Sequence, residues 1–353
     1  MTKFPNPGTG RLRPGLLAQS RLALASIALG LLCAITPSAL AISVDSRKKI
    51  MFSSGGFRIY VMNDDGSGLE RIGGKRDTAE TQPVWSSDGK KILFLRDTRS
   101  RYVSHSDSGR AFRSLWMMNA DGSGERGVYQ DPAGLQDPSG LGSPSWSPDG
   151  AKIAFTHITN CGEQAIYVMN ADGTGLHRLG TIAGNEAMWS RTGRSVVFTG
   201  LLEPERPWGC WVRYRSKAIF VMNADGTGLR RLSKGSGDES PAWSPNGRRI
   251  AFTRWTGWGV RDDTYLTAEI YVMDANGNRA RRLTRNRLFD GDPNWSPDGR
   301  RIVFTRDELS SVARNWTKTE IYVMNANGSR VKRLTDPNTP LPLSKEWPSW
   351  QPT

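Results

Sequence analysis

Histidine and cysteine are both scarce, with three of each in 353 residues. His105, His157 and His177 are scattered along the chain, which argues against a metal centre built from several imidazoles. There is no Gly-x-Ser-x-Gly elbow, so a hydrolase nucleophile of that kind is missing as well. Long apolar runs are also lacking: the greasiest stretch, Leu22 to Ile35, falls short of the roughly 20 residues that cross a bilayer. Acids are in the minority, with 34 Asp and Glu against 48 Lys and Arg, for a formal charge of +14.

The short apolar stretch takes its meaning from its flanks. Lys3, Arg11 and Arg13 precede it without an acid, and Ala39-Leu40-Ala41 follows it. A basic region, a short apolar core and a small-x-small site predict a signal peptide over 1–41, cleaved after Ala41. An uncleaved anchor is the other reading. Cleavage removes four basic residues and no acid, taking +14 to +10. The remainder is expected to be exported, periplasmic or extracellular, with no transmembrane segment. Nucleic acid is therefore not an expected partner despite the basic charge.

What the remaining chain does contain is repetition. Trp85, Trp146, Trp189, Trp243, Trp295 and Trp350 each close a short run, and Ile59, Leu115, Ile166, Ile219, Ile270 and Ile321 each begin a second kind of run. One unit reads as four strands: Pro-x-Trp-Ser, Ile-x-Phe-Thr, Ile-Tyr-Val-Met and Arg-Arg-Leu-Thr. All are rich in β-branched and aromatic residues. Ser-Pro-Asp-Gly joins the first two strands and Asn-Ala-Asp-Gly the last two, both sequences suited to tight turns. Such a unit is too small to bury its own apolar face and must stack on its neighbours, with the tryptophan as the wedge. Cys161 and Cys210 fall in the same loop of consecutive repeats, so they form a candidate disulfide, with two independent thiols as the alternative.

The two ends of the repeat region complement each other. Arg47 to Ser53 reads as a second strand without a first, and Trp347 to Gln351 as a first strand without a second. The predicted fold is an all-β, six-bladed β-propeller over 42–353, with four-stranded antiparallel blades closed by a one-plus-three clasp between the termini. Trp-Ser-Pro-Asp-Gly stands intact at Trp146 to Gly150 and Trp295 to Gly299, with variants at Trp85, Trp189 and Trp243. This motif resembles the TolB-like propeller repeat over nearly all of the chain after Ala41. The resemblance implies the propeller fold and an envelope compartment; TolB itself is periplasmic and contacts partners of the Tol–Pal system. The α/β domain that precedes the TolB propeller has no room between Ala41 and Lys48.

A propeller of this kind has two chemically distinct faces. The tight-turn face is basic, with Lys90, Lys91, Arg248, Arg249, Arg300 and Arg301 at one turn and Arg230, Arg231, Arg281, Arg282, Lys332 and Arg333 at the other. These residues suit an anionic envelope surface, or they guard exposed edge strands against pairing. The opposite face carries the longer connections, expected as irregular loops over 97–113, 200–217, 255–268 and 307–319. Trp208, Trp211, Trp255, Trp258, Trp316 and Trp347 lie in or beside them. Those aromatics either pack as a lid or bind a sugar or protein partner.

Acids gather where the connections enter the first strands: Glu80, Glu186, Asp238, Glu239, Asp290, Asp292 and Glu346. They could hold Ca²⁺ at the channel mouth, but pairing with Arg96, Arg254 and Arg306 is the favoured expectation, and no cofactor is expected. The functional expectation is a non-catalytic exported scaffold that binds a protein or envelope glycan on its long-connection face. The candidate ligand-binding residues are the six tryptophans with Glu186, Glu239, Asp290 and Asp292. The alternative is a carboxylate-dependent glycan lyase or hydrolase with its site at the channel mouth.

Overall fold

In the computed structural model, residues 48–55, 58–73, 78–99, 111–130, 140–159, 161–208, 211–256, 267–309, 317–336 and 344–352 are described. The segment 1–41 expected as a signal peptide lies outside them. So do Cys33, His105, Cys210, Trp258 and Trp316, and the side chains of Trp208 and Trp211.

The described chain is all strand and turn. The first blade contains β1 (Lys49–Ser54), β2 (Arg58–Asn63) and β3 (Glu70–Ile72). The second follows as β4 (Thr78–Trp85), β5 (Lys91–Arg99), β6 (Ala111–Asn119) and β7 (Arg126–Gln130). The third is β8 (Gly140–Trp146), β9 (Lys152–Ile158), β10 (Gln164–Asn170) and β11 (His177–Arg178). The fourth is β12 (Gly184–Trp189), β13 (Ser195–Trp208), β14 (Trp211–Asn223) and β15 (Arg230–Arg231). The fifth is β16 (Asp238–Trp243), β17 (Arg249–Trp255), β18 (Ala268–Asp274) and β19 (Arg281–Arg282). The sixth is β20 (Asp290–Trp295), β21 (Arg301–Leu309), β22 (Thr317–Asn325) and β23 (Lys332–Arg333).

The last strand, β24 (Lys345–Trp350), pairs antiparallel with β1, with Ile50 opposite Trp350 and Ser54 opposite Lys345. That sheet runs β24-β1-β2-β3, so chain closure is a one-plus-three clasp. Arg47–Thr353 forms one compact unit. No helix among the described residues is long and apolar enough to cross a membrane.

Turn chemistry sets the blade geometry. Ser86 Oγ donates to Asp88 Oδ1 at 2.6 Å, and the Lys90 N–H donates to the same oxygen at 3.1 Å. Asp149 and Asp298 repeat this arrangement. At the other turn, the Thr227 N–H donates to Asp225 Oδ1 at 2.9 Å, and Gly226 takes φ 84°. A Cβ on Gly226 would also meet the Gly180 nitrogen of the preceding blade at 2.9 Å, so glycine is needed twice over there.

The core is a set of apolar clusters between adjacent blades. Trp189 packs with Ala154, Ile166 and Val168 of the preceding blade, and Trp295 with Ala242, Ala251 and Ile270. Phe52, Phe94, Phe155, Phe198, Phe252 and Phe304, one on each second strand, are fully buried. The wedge role expected of the repeated tryptophan is what these clusters show.

One expectation is corrected. Residues 200–217 are a hairpin extension, not an irregular loop. β13 and β14 pair from Ser195↔Asn223 out to Trp208↔Trp211, with a register shift between Glu205 and Trp208. Pro207 falls at that shift, where a missing N–H is tolerated. The connections near 97–113 and 307–319 are likewise shortened by strand: β5 and β6 pair out to Arg99↔Ala111, and β21 and β22 out to Leu309↔Thr317.

Candidate functional site

The first strand of every blade carries the same backbone distortion. Three residues before each tryptophan the chain is left-handed: Gln82 (φ 50°), Ser143 (47°), Glu186 (54°), Ser240 (50°), Asp292 (49°) and Trp347 (52°). Pairing slips around each of them, for example between Glu239 and Ala242 and between Gly291 and Asn294. A non-glycine residue held there costs about 1–3 kcal/mol, a strain that surrounding structure must enforce. The bulges place all six residues around one central cavity of about 140 Å³.

Ser240 links the two acids of this ring. Its N–H donates to Glu186 Oε2 at 2.8 Å, and its hydroxyl donates to Asp292 Oδ1 at 3.3 Å. Thr199 Oγ1 donates to Glu186 at 2.7 Å and Thr305 Oγ1 to Asp292 at 3.4 Å. Across the ring the Ser143 N–H donates to Gln82 Oε1.

Crowded burial disfavours charge at both acids. The Glu186 pKa is raised by burial and then by the nearby Glu239 carboxylate, against the pull of Lys217. Asp292 is pushed up to about 7 by burial first, then by Glu186, Glu239 and Glu346. Glu346 is itself raised, by burial and by Asp307. The cavity thus disfavours the charged form of both carboxyl groups that line it.

The remaining acids divide by strand position. Five residues before the tryptophan, Glu80, Asp238 and Asp290 face the second strand of their own blade. Each is fully buried and paired with the arginine opposite: Glu80 with Arg96 (Nε 3.2 Å), Asp238 with Arg254 (2.6 and 2.8 Å), and Asp290 with Arg306 (2.6 and 2.8 Å). Ion pairing at these three acids is therefore the observed arrangement. Asp290, expected near a ligand, is committed to Arg306 and to Asn286 Nδ2 at 2.8 Å.

Glu239 accepts from Lys217 Nζ and, at 2.7 Å, from Trp255 Nε1. Trp255 also packs edge-on against Phe289 with centroids 5.2 Å apart, so this tryptophan is held as packing. Trp347 lies in the channel ring, half-buried. Among the described residues, no three carboxylate, histidine or cysteine side chains gather to hold a metal. Cys161 is disulfide-bonded, and Cys210, its expected partner, lies outside the described residues.

The structure thus brings Glu186, Asp292 and Trp347 into one ring and keeps Asp290 and Trp255 out of it. Reading the sequence missed Gln82, Ser143 and Ser240. The available signal was the position three before each tryptophan, which varies in chemistry inside an otherwise regular repeat.

No protein-family model matches the chain. An uncharacterized protein of Agrobacterium fabrum is 25% identical over 202 residues, 55% of this chain and 58% of its own length. The Tol-Pal system protein TolB of Zymomonas mobilis is 38% identical over 79 residues, 22% of this chain and 16% of its own. The matches thus span less than two thirds of the length of these curated relatives. Among solved structures, TolB from Acinetobacter baumannii superimposes with a TM-score of 0.64 at 20% identity, covering 87% of this chain and 67% of that one. A putative TolB from Agrobacterium tumefaciens gives 0.56 at 21% identity, covering 82% and 89%. An oligogalacturonate lyase in complex with manganese gives 0.50 at 16% identity, covering 78% and 73%. The six blades, their closure and these superpositions together show that the chain shares the β-propeller fold of the solved TolB structures.

Proposed function

We propose that this protein is an exported, non-catalytic binding scaffold that takes a protein or envelope glycan on the face where the channel opens among the long connections. The observation that carries the reading is the ring of Glu186, Ser240, Asp292 and Trp347 around a cavity of about 140 Å³. That is small beside the roughly 300–1,000 Å³ of ordinary small-molecule pockets. It suits one inserted side chain or chain end of a larger partner, with Trp347 as the aromatic anchor. The likeness to TolB proteins supports both the binding role and the exported, periplasmic setting. The reading needs no cofactor, and calcium at the channel mouth is not part of it.

A second reading is favoured by one feature. Glu186 and Asp292 face one cavity with Ser240 between them, a pair of carboxylates with a third polar group that a glycan lyase or hydrolase could use. The likeness to the lyase is at the level of fold and assigns no chemistry here.

The test is retention of partners from the exported fraction by the intact protein and by Trp347→Ala. Loss of the retained partner with Trp347→Ala is the expected result. Equal recovery removes the channel mouth as the binding site. Release of shortened or unsaturated glycan by the intact protein, abolished by Asp292→Asn, would establish the enzymatic reading instead.

A further inference from the structure

On the tight-turn face, most basic side chains are already engaged. Arg301 Nη2 reaches Asp64 at 2.5 Å and its guanidinium lies 4.8 Å from the Trp350 ring centroid. Arg333 donates to Glu308 at 2.8 Å, and Arg282 is paired with Glu269. Arg230 and Arg281 donate to carbonyls of the next blade at Asn276 and Asn327. Lys48 is held by Asp298 at 2.7 Å.

Arg191, Arg248 and Arg249 differ. All three are exposed, and none has a carboxylate partner among the described residues. They line one groove of about 600 Å³ between the first turns of the fourth, fifth and sixth blades.

The repeat explains why this charge is unbalanced. The turn aspartate kept at Asp88, Asp149 and Asp298 is replaced in the fourth blade by Thr192 and in the fifth by Asn246. Each replacement keeps part of the turn's hydrogen bonding without the charge. Asn246 Oδ1 accepts from Ser244 Oγ at 2.9 Å and from the Arg248 N–H at 3.0 Å, and Thr192 Oγ1 meets Ser190 Oγ at 3.3 Å. Arg249 also lacks the partner of its counterpart Arg301, because the next-blade residue corresponding to Asp64 is Ala326. Asp298, the one acid lining the groove, is neutralised by Lys48.

We propose that this groove is a binding site for tetrahedral oxyanions, the phosphate or sulfate groups of an anionic ligand. Three guanidinium forks line one concavity in which Asn246 stands where other blades carry a turn carboxylate, and a second such carboxylate is missing beside Arg191, at Thr192. Such forks match the oxygens of a phosphate in pairs. The site lies on the face opposite the proposed partner site and does not depend on it.

The decisive variant restores the repeat: Thr192→Asp with Asn246→Asp. Aspartate already occupies this place in three other turns, so the fold is expected to survive, as an unchanged thermal midpoint would show. Lys90→Glu on the second blade changes the formal charge by the same two units away from the groove and serves as the control. Binding is read by titration with inorganic pyrophosphate and by sedimentation with phosphatidylglycerol-containing vesicles against pure phosphatidylcholine vesicles.

The expected result is that the restored-repeat variant binds about tenfold more weakly, as losing one charge-assisted contact implies, while Lys90→Glu binds like the unmodified chain. Pyrophosphate binding with this pattern assigns a soluble ligand, and vesicle binding alone with this pattern assigns a headgroup. Equal weakening by both variants, or no binding to either probe, overturns the proposal.

Discussion

Glu186 and Asp292, on first strands two blades apart, are joined through Ser240, whose N–H reaches one carboxylate at 2.8 Å and whose hydroxyl reaches the other at 3.3 Å. Each sits on a left-handed bulge that turns it into the channel. This contact ties the mechanics of the ring to its charge, because ionising both acids at once places two negative charges in one confined space.

A pH dependence of stability follows. Asp292, pushed up to about 7 in the folded chain, lies above the roughly 3.9 of an exposed aspartate. Between those values the folded chain holds a proton that the unfolded chain has released, so stability falls as pH rises from about 4 to about 7. Glu186, raised by burial, acts in the same direction. Asp298 acts oppositely at the acid end. Burial resists its charge, but Lys48, Ser296 and the Arg300 N–H together hold its pKa well below the usual carboxylate range, so its contribution is lost as pH falls below about 4. The thermal midpoint is therefore expected to be highest in mildly acidic buffer. Asp292→Asn should flatten the decline toward pH of about 8 by on the order of 2 °C. An identical pH profile for the variant contradicts this.

Among the three pairs of a first-strand acid with the arginine opposite, Arg96–Glu80 is the most enclosed. The Arg96 and Glu80 side chains are 2% and 0% exposed, whereas Arg254 opposite Asp238 is 25% exposed. Removing Arg96 strands a buried carboxylate, so Arg96→Met is expected to cost about 3–5 kcal/mol. Arg254→Met should cost less, since water reaches that guanidinium. Chemical denaturation of both variants checks the order.

At the clasp, Trp350 is buried and packs among Ile50, Phe52 and Val303, joining the last strand to the first blade. Trp350→Ala is expected to destabilise by about 3–5 kcal/mol, as for other buried aromatics. Because it loosens the ring closure, amide exchange should rise first in β1 and β24. Uniform exchange over all six blades would argue that closure is not the weak point.

Trp255 is expected to matter for packing and not for partner binding. Its indole donates to Glu239 at 2.7 Å and its ring rests on Phe289. Trp255→Phe should lower stability by about 1 kcal/mol through the lost hydrogen bond, with retained partners unchanged. Loss of partner at full stability would return Trp255 to the binding surface.

Blade number, closure and wedge tryptophans were legible because each rests on residue spacing and on turns with only one good chemistry. Pairing of Asp238 and Asp290 with arginines was legible for the same reason: opposed charges fall at matching places on adjacent strands. The channel ring was not. Simple alternation along a strand sends Glu239 and Ser240 to opposite faces, and only a bulge turns Ser240 inward. The hairpin extension was not legible either, because Pro204 and Pro207 lack the N–H of a regular ladder and yet β13 and β14 pair out to Trp208↔Trp211.

The central claim is most directly tested by affinity measurements on the exported-fraction partner with four immobilised proteins: unmodified, Trp347→Ala, Glu186→Gln/Asp292→Asn, and Thr192→Asp/Asn246→Asp. The account predicts that the first two variants lose the partner by about tenfold or more, that the third retains it, and that the eluted partner is chemically unchanged. Equal affinity for all four, or loss confined to the third variant, would contradict a binding site at the channel mouth.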